Sequence, residues 1–248
     1  MLEIKNISKT FNIGTSEENT IFKDFSLKIE EGLATTIIGP NGCGKSTLMN
    51  LISGSLPLDS GQILVNGVEI SKLSEEKRAK YMGKVNQDPK DGVATNLDIY
   101  ENMAIALKKG EKFGLRSLRK SSNTEEIVRR LKKLKLGLEN KLHTKTGLLS
   151  GGQRQSLSLL MATAKRPKLL LLDEHTAALD PKTSRNVMDK TRSLIDTEKI
   201  TTLLISHNLR DVVRYSDRII MLNKGQIVID VMAKDISETD LIRKYKEE

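Results

Sequence analysis

The sequence predicts an α/β fold: a largely parallel sheet flanked by helices, with an antiparallel β portion near the N-terminus and an inserted helical subdomain. Three observations carry this. Short apolar runs rich in leucine and β-branched residues alternate with helical patterns on both sides of the middle of the chain. The N-terminal stretch alternates apolar and polar residues with the period of half-buried strands. From about residue 90 to 148 helical patterns dominate, and Lys and Arg accumulate.

Element by element, a strand pattern opens the chain in LEIKNISKTF, followed by a polar loop, NIGTSEENT, and a second strand in IFKDFSLKIE. LATTIIG is a short β-branched run ending at a glycine, and STLMNLIS beyond the next loop has helical character. GQILVNGVEI reads as a hairpin turning at Asn66-Gly67, and a short strand follows near MGKVNQ. In the middle segment KSSNTEE reads as a loop ending in a helix cap. Ile127, Leu131, Leu134 and Leu138 then recur at helical spacing with basic residues between them. Strand and helix alternate again through KLLLLD, a helix after Pro181, TTLLISH, a helix in LRDVVRYS, and RIIMLNKGQIVID.

A length of 248 residues, 38% hydrophobic and 29% charged, fits one large domain or a domain with a smaller subdomain. With no Trp and 3% aromatics, the core must rest on Leu, Ile, Val and Met. No apolar run is long enough to span a bilayer, and MLEIKNISKTF lacks the apolar centre of a signal peptide. The single cysteine, Cys43, excludes an internal disulfide framework and a multi-Cys metal site, and fits a reducing compartment such as the cytoplasm. A net charge of +9, much of it in Lys108 to Lys120 and Arg129 to Lys135, leaves a solvated helix face, a membrane-proximal surface and nucleic acid open. Without interleaved aromatics or an RNA-binding signature, charge alone does not argue for nucleic acid.

GPNGCGKST places Gly39, Gly44, Lys45 and Ser46 in the spacing G-x-x-x-x-G-K-[ST], between an apolar strand and a helix. Glycines let several backbone N–H groups converge on phosphates, and the helix adds the positive end of its dipole. Lys45 is placed to reach the β and γ phosphates, and the Ser46 hydroxyl to bind Mg²⁺. Bound nucleotide is expected to shield the Cys43 thiol. Such a site needs a carboxylate from a neighbouring strand, and LLLLDE supplies Asp173 at the strand end. Glu174, one residue on, can orient or deprotonate a water for in-line attack. His207 ends another apolar run, where ligands bind in open parallel sheets. Alone, His207 also suits a helix cap, and Gln87 in VNQDP suits an ordinary loop.

LSGGQ, residues 149–153, is a second phosphate-shaped loop at a helix N-terminus. One nucleotide needs one cradle, so a second is a puzzle within a single chain. A symmetric pair of chains resolves it, each closing its second loop over the nucleotide held by the other's first.

Taken together these motifs resemble the ATP-binding subunits of ABC transporters over nearly the whole chain. The resemblance implies one ABC-type ATPase domain of the P-loop NTPase class over 1–248. A RecA-like core and β subdomain would occupy 1–89 and 160–248, and a helical, signature-bearing subdomain 90–159. It further implies that ATP and Mg²⁺ are the cofactors. Gly39, Pro40, Asn41, Gly42, Cys43, Gly44, Lys45, Ser46 and Thr47 would bind ATP, with Phe11 stacking on adenine although Phe22 and Phe25 are also available. Ser46, Gln87 and Asp173 would serve Mg²⁺, and Glu174, His207, Lys45 and Gln87 catalysis. Ser150, Gly151, Gly152 and Gln153 would reach the partner's ATP, and Asp180, in the D-loop 178–180, would carry dimer communication. One departure is visible: His175 stands where the family usually has proline.

The expected function is the ATPase subunit of a transporter, peripheral at the cytoplasmic face of the membrane. It would act as a homodimer with separate transmembrane permease subunits and a solute-binding protein, and without nucleic acid. Importers of a small solute are favoured, and LSGGQRQSLSLLMATAKRPKLLLLDEHTAALDPKT resembles the ATPases of tryptophan/tyrosine-type uptake systems. Two alternatives stay open: an ATPase regulating a membrane complex without transport, and a soluble DNA- or ribosome-associated ABC ATPase.

Overall fold

A computed structural model describes residues 1–110 and 121–247, so most of the basic run from Lys108 to Lys120 lies outside the described residues. The chain opens with β1 (Leu2–Phe11), β2 (Asn19–Ile29) and β3 (Ala34–Ile38), then α1 (Lys45–Ser53), β4 (Ser60–Val65) and β5 (Val68–Glu69). Next come α2 (Glu75–Arg78), β6 (Met82–Val85), α3 (Ile99–Leu107), α4 (Ser121–Leu134) and α5 (Gly151–Ala162). The remainder is β7 (Leu169–Asp173), α6 (Pro181–Glu198), β8 (Thr202–Ile205), α7 (Leu209–Tyr215), β9 (Arg218–Asn223), β10 (Gln226–Met232) and α8 (Glu238–Glu247).

Two sheets form, as the two periodicities require. The first runs β2-β1-β4-β5 and is antiparallel throughout. Its hairpin between β4 and β5 turns on Asn66 at φ 49° and Gly67 at φ 77°, the left-handed pair that matches strand twist. The second runs β10-β9-β3-β8-β7-β6 and is parallel except at β10, which pairs antiparallel with β9. Its central strands are buried on both faces, which is why Ala34–Ile38 and Leu169–Leu172 read as continuous apolar or β-branched runs rather than alternating ones.

The main core lies between the two sheets and α1, and a second cluster covers the other face of the parallel sheet. A separate cluster joins Ile99, Met103, Ile127, Leu131, Leu138 and Leu157 from α3, α4, α5 and the loop after α4. Here the reading of KSSNTEE as a loop needs correction, because the helix already runs from Ser121. Ser, Asn and Thr favour caps because their side chains compete for backbone hydrogen bonds, but a first helical turn tolerates them when the turns beyond bury a strong apolar face. The polar loop after β1 is also shorter than expected, since β2 begins at Asn19, opposite Phe11.

Candidate functional site

β3 is fully buried and delivers the chain to the phosphate-shaped loop. Gly39 follows at φ 145°, and a Cβ there would lie 2.1 Å from the Leu222 carbonyl oxygen. Gly44 precedes α1 at φ 108°, and a Cβ there would meet the Phe22 ring at 2.8 Å. These glycines are therefore fixed by close backbone approach as well as by conformation. α1 has no side-chain N-cap, so its first-turn N–H groups remain unclaimed by a cap, as an anion site requires. Pro40 and Thr47 are half-buried, and Asn41, Gly42 and Ser46 are exposed. Lys45 is buried, and its ammonium donates to the carbonyls of Gly39 at 2.8 Å and Pro40 at 2.9 Å. Cys43 is only 4% exposed, so the protein itself already shields the thiol expected to need nucleotide for its protection.

The far end of α1 is closed by Arg78, whose buried guanidinium donates to Leu51 and Ile52 carbonyls at 2.6 and 2.9 Å. A cation there satisfies terminal carbonyls and complements the negative pole of the helix whose positive pole faces the loop.

β7 and β8 are parallel neighbours, so their ends bring the acids and the histidine together. Asp173 is half-buried at the end of β7. Burial, then the neighbouring Glu174 charge, holds its carboxyl above the usual carboxylate range against the opposing pull of Lys84, Lys45 and His207. Glu174 adopts φ 44° and donates its N–H to Ile205 O at 3.1 Å. Its Oε1 meets His207 Nε2 at 2.7 Å. A cavity of about 890 Å³ opens beside this pair and continues between α6 and α7 past Arg185 and Arg214.

His175, the departure from the family pattern, turns inward. It is 2% exposed, and Nε2 lies 3.2 Å from Thr191 Oγ1 in α6. Thr191 donates its hydroxyl proton to Val187 O, so it accepts from His175, which places the ring proton on Nε2. Burial lowers the His175 pKa to about 4, and the ring is neutral at physiological pH.

Ser150 caps α5 and forms a reciprocal box with Gln153: Gln153 N donates to Ser150 Oγ at 3.3 Å, and Ser150 N to Gln153 Oε1 at 3.1 Å. The exposed Ser150 hydroxyl thus accepts inward and keeps its own proton for an outward acceptor. A Cβ on Gly151 would meet Leu179 at 3.2 Å, and one on Gly152 would meet the Thr183 methyl at 2.2 Å. The second glycine loop therefore rests on the 178–180 segment of its own chain. Asp180 caps α6 through Thr183 N at 3.1 Å, and hydrogen bonding from the Thr183 side chain, then from its backbone, holds its carboxyl below the usual range.

Gln87 is exposed just beyond β6. The structure ties its segment to α5 through Gln155, fully buried, whose Nε2 donates to Asn86 O at 3.1 Å. Phe11 ends β1 half-buried, with Lys9 Nζ 5.5 Å from its ring centroid. Phe22 and Phe25 are buried in the core with centroids 4.8 Å apart, so of the three aromatics Phe11 is the one able to offer a face to a ligand. Sequence reasoning missed Gln155, Thr183 and Arg78. Gln155 and Thr183 carry no motif of their own, and their signal is position, within a turn or so of a residue that does.

A phosphate loop after β3, an acid pair at the end of β7 two places along the same sheet, and a second glycine loop at a helix N-terminus define an ATP-hydrolysing cassette. Residues 22–177 match the ABC transporter family, and the chain belongs to it as an ATP-binding subunit and an ATPase. It is 45% identical over 250 residues to the tyrosine transport ATP-binding protein of Clostridioides difficile, covering 99% of both chains. It is 35% identical over 239 residues to the spermidine/putrescine import ATP-binding protein of Haemophilus influenzae, of whose length it spans 59%. Among solved structures, an ATP-binding cassette dimer in a post-hydrolysis state, bound to ADP and Pi, superposes with a TM-score of 0.78. The identity is 27%, over 94% of this chain and 99% of that one. Subunits of this kind bind ATP or ADP and work as dimers alongside separate membrane components. Among the described residues no helix is long and apolar enough to cross a membrane.

Proposed function

We propose that this subunit energises uptake of a small solute, an amino acid of the tyrosine type. It works as a homodimer docked peripherally on separate permease subunits at the cytoplasmic face of the membrane, supplied by a solute-binding protein. Near-full-length identity of 45% to a tyrosine transport ATP-binding protein supports the substrate class.

In this reading residues 39–47 hold the phosphates and Phe11 the adenine. Asp173, Ser46 and Gln87 hold Mg²⁺. The fit to a cation rests on Asp173, a half-buried carboxyl at the end of β7 next to Glu174, two acidic groups whose mutual repulsion a cation would relieve. Among the described residues no cluster of three or more acidic, His or Cys ligands stands ready. That suits an ion completed by phosphate oxygens and water rather than by a protein cage. When bound, Mg²⁺ neutralises phosphate charge. Glu174 orients and deprotonates the attacking water, His207 steadies Glu174 and faces the γ-phosphate, and Ser150 to Gln153 close over the ATP of the partner chain.

The contact between Glu174 and His207 at 2.7 Å, beside Asp173, is the observation that carries this assignment. Glu174→Gln should bind ATP yet hydrolyse it at least ~100-fold more slowly, and accumulate an ATP-dependent dimer on size-exclusion chromatography. Turnover at the wild-type rate would remove Glu174 from the role of base. Substrate class is tested in proteoliposomes of the whole transporter, where tyrosine and not a polyamine should stimulate ATPase activity.

A further inference from the structure

Tyr245 lies in the last turn of α8, 206 residues along the chain from Gly39, and its hydroxyl donates to the Gly39 carbonyl at 3.0 Å. The same oxygen accepts from the Lys45 ammonium at 2.8 Å. One helical turn before Tyr245, Leu241 is fully buried in a cluster with Ile38, Val212, Ile219 and Met221, and the Tyr245 ring packs on that cluster. Ile38 is the last residue of β3, directly before Gly39. The core beneath the sheet end therefore fixes the ring, and the ring fixes the hydroxyl.

Given the assignment of 39–47 as the phosphate cradle, on which this inference rests, Lys45 must leave Gly39 to reach a phosphate. Gly39 is buried, and a buried carbonyl stripped of donors would oppose that swing. We propose that Tyr245 is a positioning residue: it keeps the Gly39 carbonyl satisfied while Lys45 turns to the nucleotide, so that the C-terminal helix clasps the loop and strengthens nucleotide binding. Burial, with Cys43 nearby, holds the Tyr245 phenol above its ordinary pKa, so it remains a donor. Because coupling is reciprocal, nucleotide must in turn steady α8.

Tyr245→Phe tests this with the ring and its packing retained. The variant should melt within a degree or two of wild type. Its ADP dissociation constant and its KM for ATP should rise about 3- to 10-fold, the size of one neutral hydrogen bond, with kcat at saturating ATP within about twofold. ADP should slow hydrogen exchange of the α8 amides in the wild type and markedly less in the variant. Equal ADP affinity in the two proteins would overturn the clasp, as would a lowered melting temperature or kcat with affinity unchanged. Wild-type protein that bound no ADP would instead overturn the cradle assignment, and the clasp with it.

Discussion

Glu174 occupies a left-handed backbone conformation that a residue bearing a Cβ adopts at a cost of about 1–3 kcal/mol. The structure holds it there from several sides: the N–H on Ile205, the carboxylate on His207, and the next ring, His175, pinned to Thr191. Strain is retained where it aims a carboxylate, and His175 is part of the restraint. That buried ring also sets a pH dependence. Above pH 6.5 both folded and unfolded chains carry it neutral, and it contributes nothing. As pH falls toward the folded value of about 4, the unfolded chain takes up a proton that the folded one refuses, and stability declines. The full loss is about 3 kcal/mol. His175→Gln has an amide nitrogen that reaches as far as Nε2, can still donate to Thr191 and does not titrate, so its urea midpoint should fall less than that of wild type between pH 6.5 and 4.5. Parallel slopes would mean that the ring is not buried in its neutral form.

At the level of elements, α5 joins parts that sequence order keeps apart. Its N-terminal glycines rest on Leu179 and Thr183, and one turn on, Gln155 grips the backbone beside Gln87. The glycine requirement at 152 is then steric within the chain, since its N–H would be available in alanine too. Gly152→Ala should drive a methyl into Thr183 and reduce turnover ~10- to 100-fold by shifting the loop. Adding Thr183→Ser, which deletes the opposing methyl but keeps the N–H capped by Asp180, should restore most of the loss in an ATPase assay. A double variant as slow as the single one would place the need for glycine elsewhere. This element also marks what the sequence can reveal. Strands, the hairpin at Asn66-Gly67 and both glycine loops were legible, because period and turn chemistry are local signals. The start of α4 was not, because burial of Ile127 and Leu131 outweighs weak helix formers in the first turn. Gln155 and Tyr245 could not be found either, since their partners lie 69 and 206 residues away and only the folded chain joins them.

For the whole molecule, the two glycine loops of one chain serve different neighbourhoods. Residues 39–44 pack against β2 and the Leu222 end of β9, whereas 151–152 pack against the 178–180 segment and α6. Ser150 Oγ accepts from Gln153 N at an exposed position, which leaves its own proton free for an acceptor outside the helix. In the head-to-tail pairing proposed above, a second copy would complete a site that needs both loops, each chain lending its second loop to the other's first. Complementation of two broken chains tests that geometry. In the Glu174→Gln background, Lys45→Ala removes a grip on phosphate and Ser150→Arg blocks a lid, so neither variant alone should pair in ATP. A mixed pair brings both lesions to one site and leaves the other with an intact loop from each chain. Mixing the two monomers with ATP should therefore restore a dimer peak on size-exclusion chromatography, with both chains in it by mass spectrometry. If the mixture stayed monomeric while the Glu174→Gln parent dimerised, each chain would have to close over its own nucleotide, and the head-to-tail arrangement would be wrong.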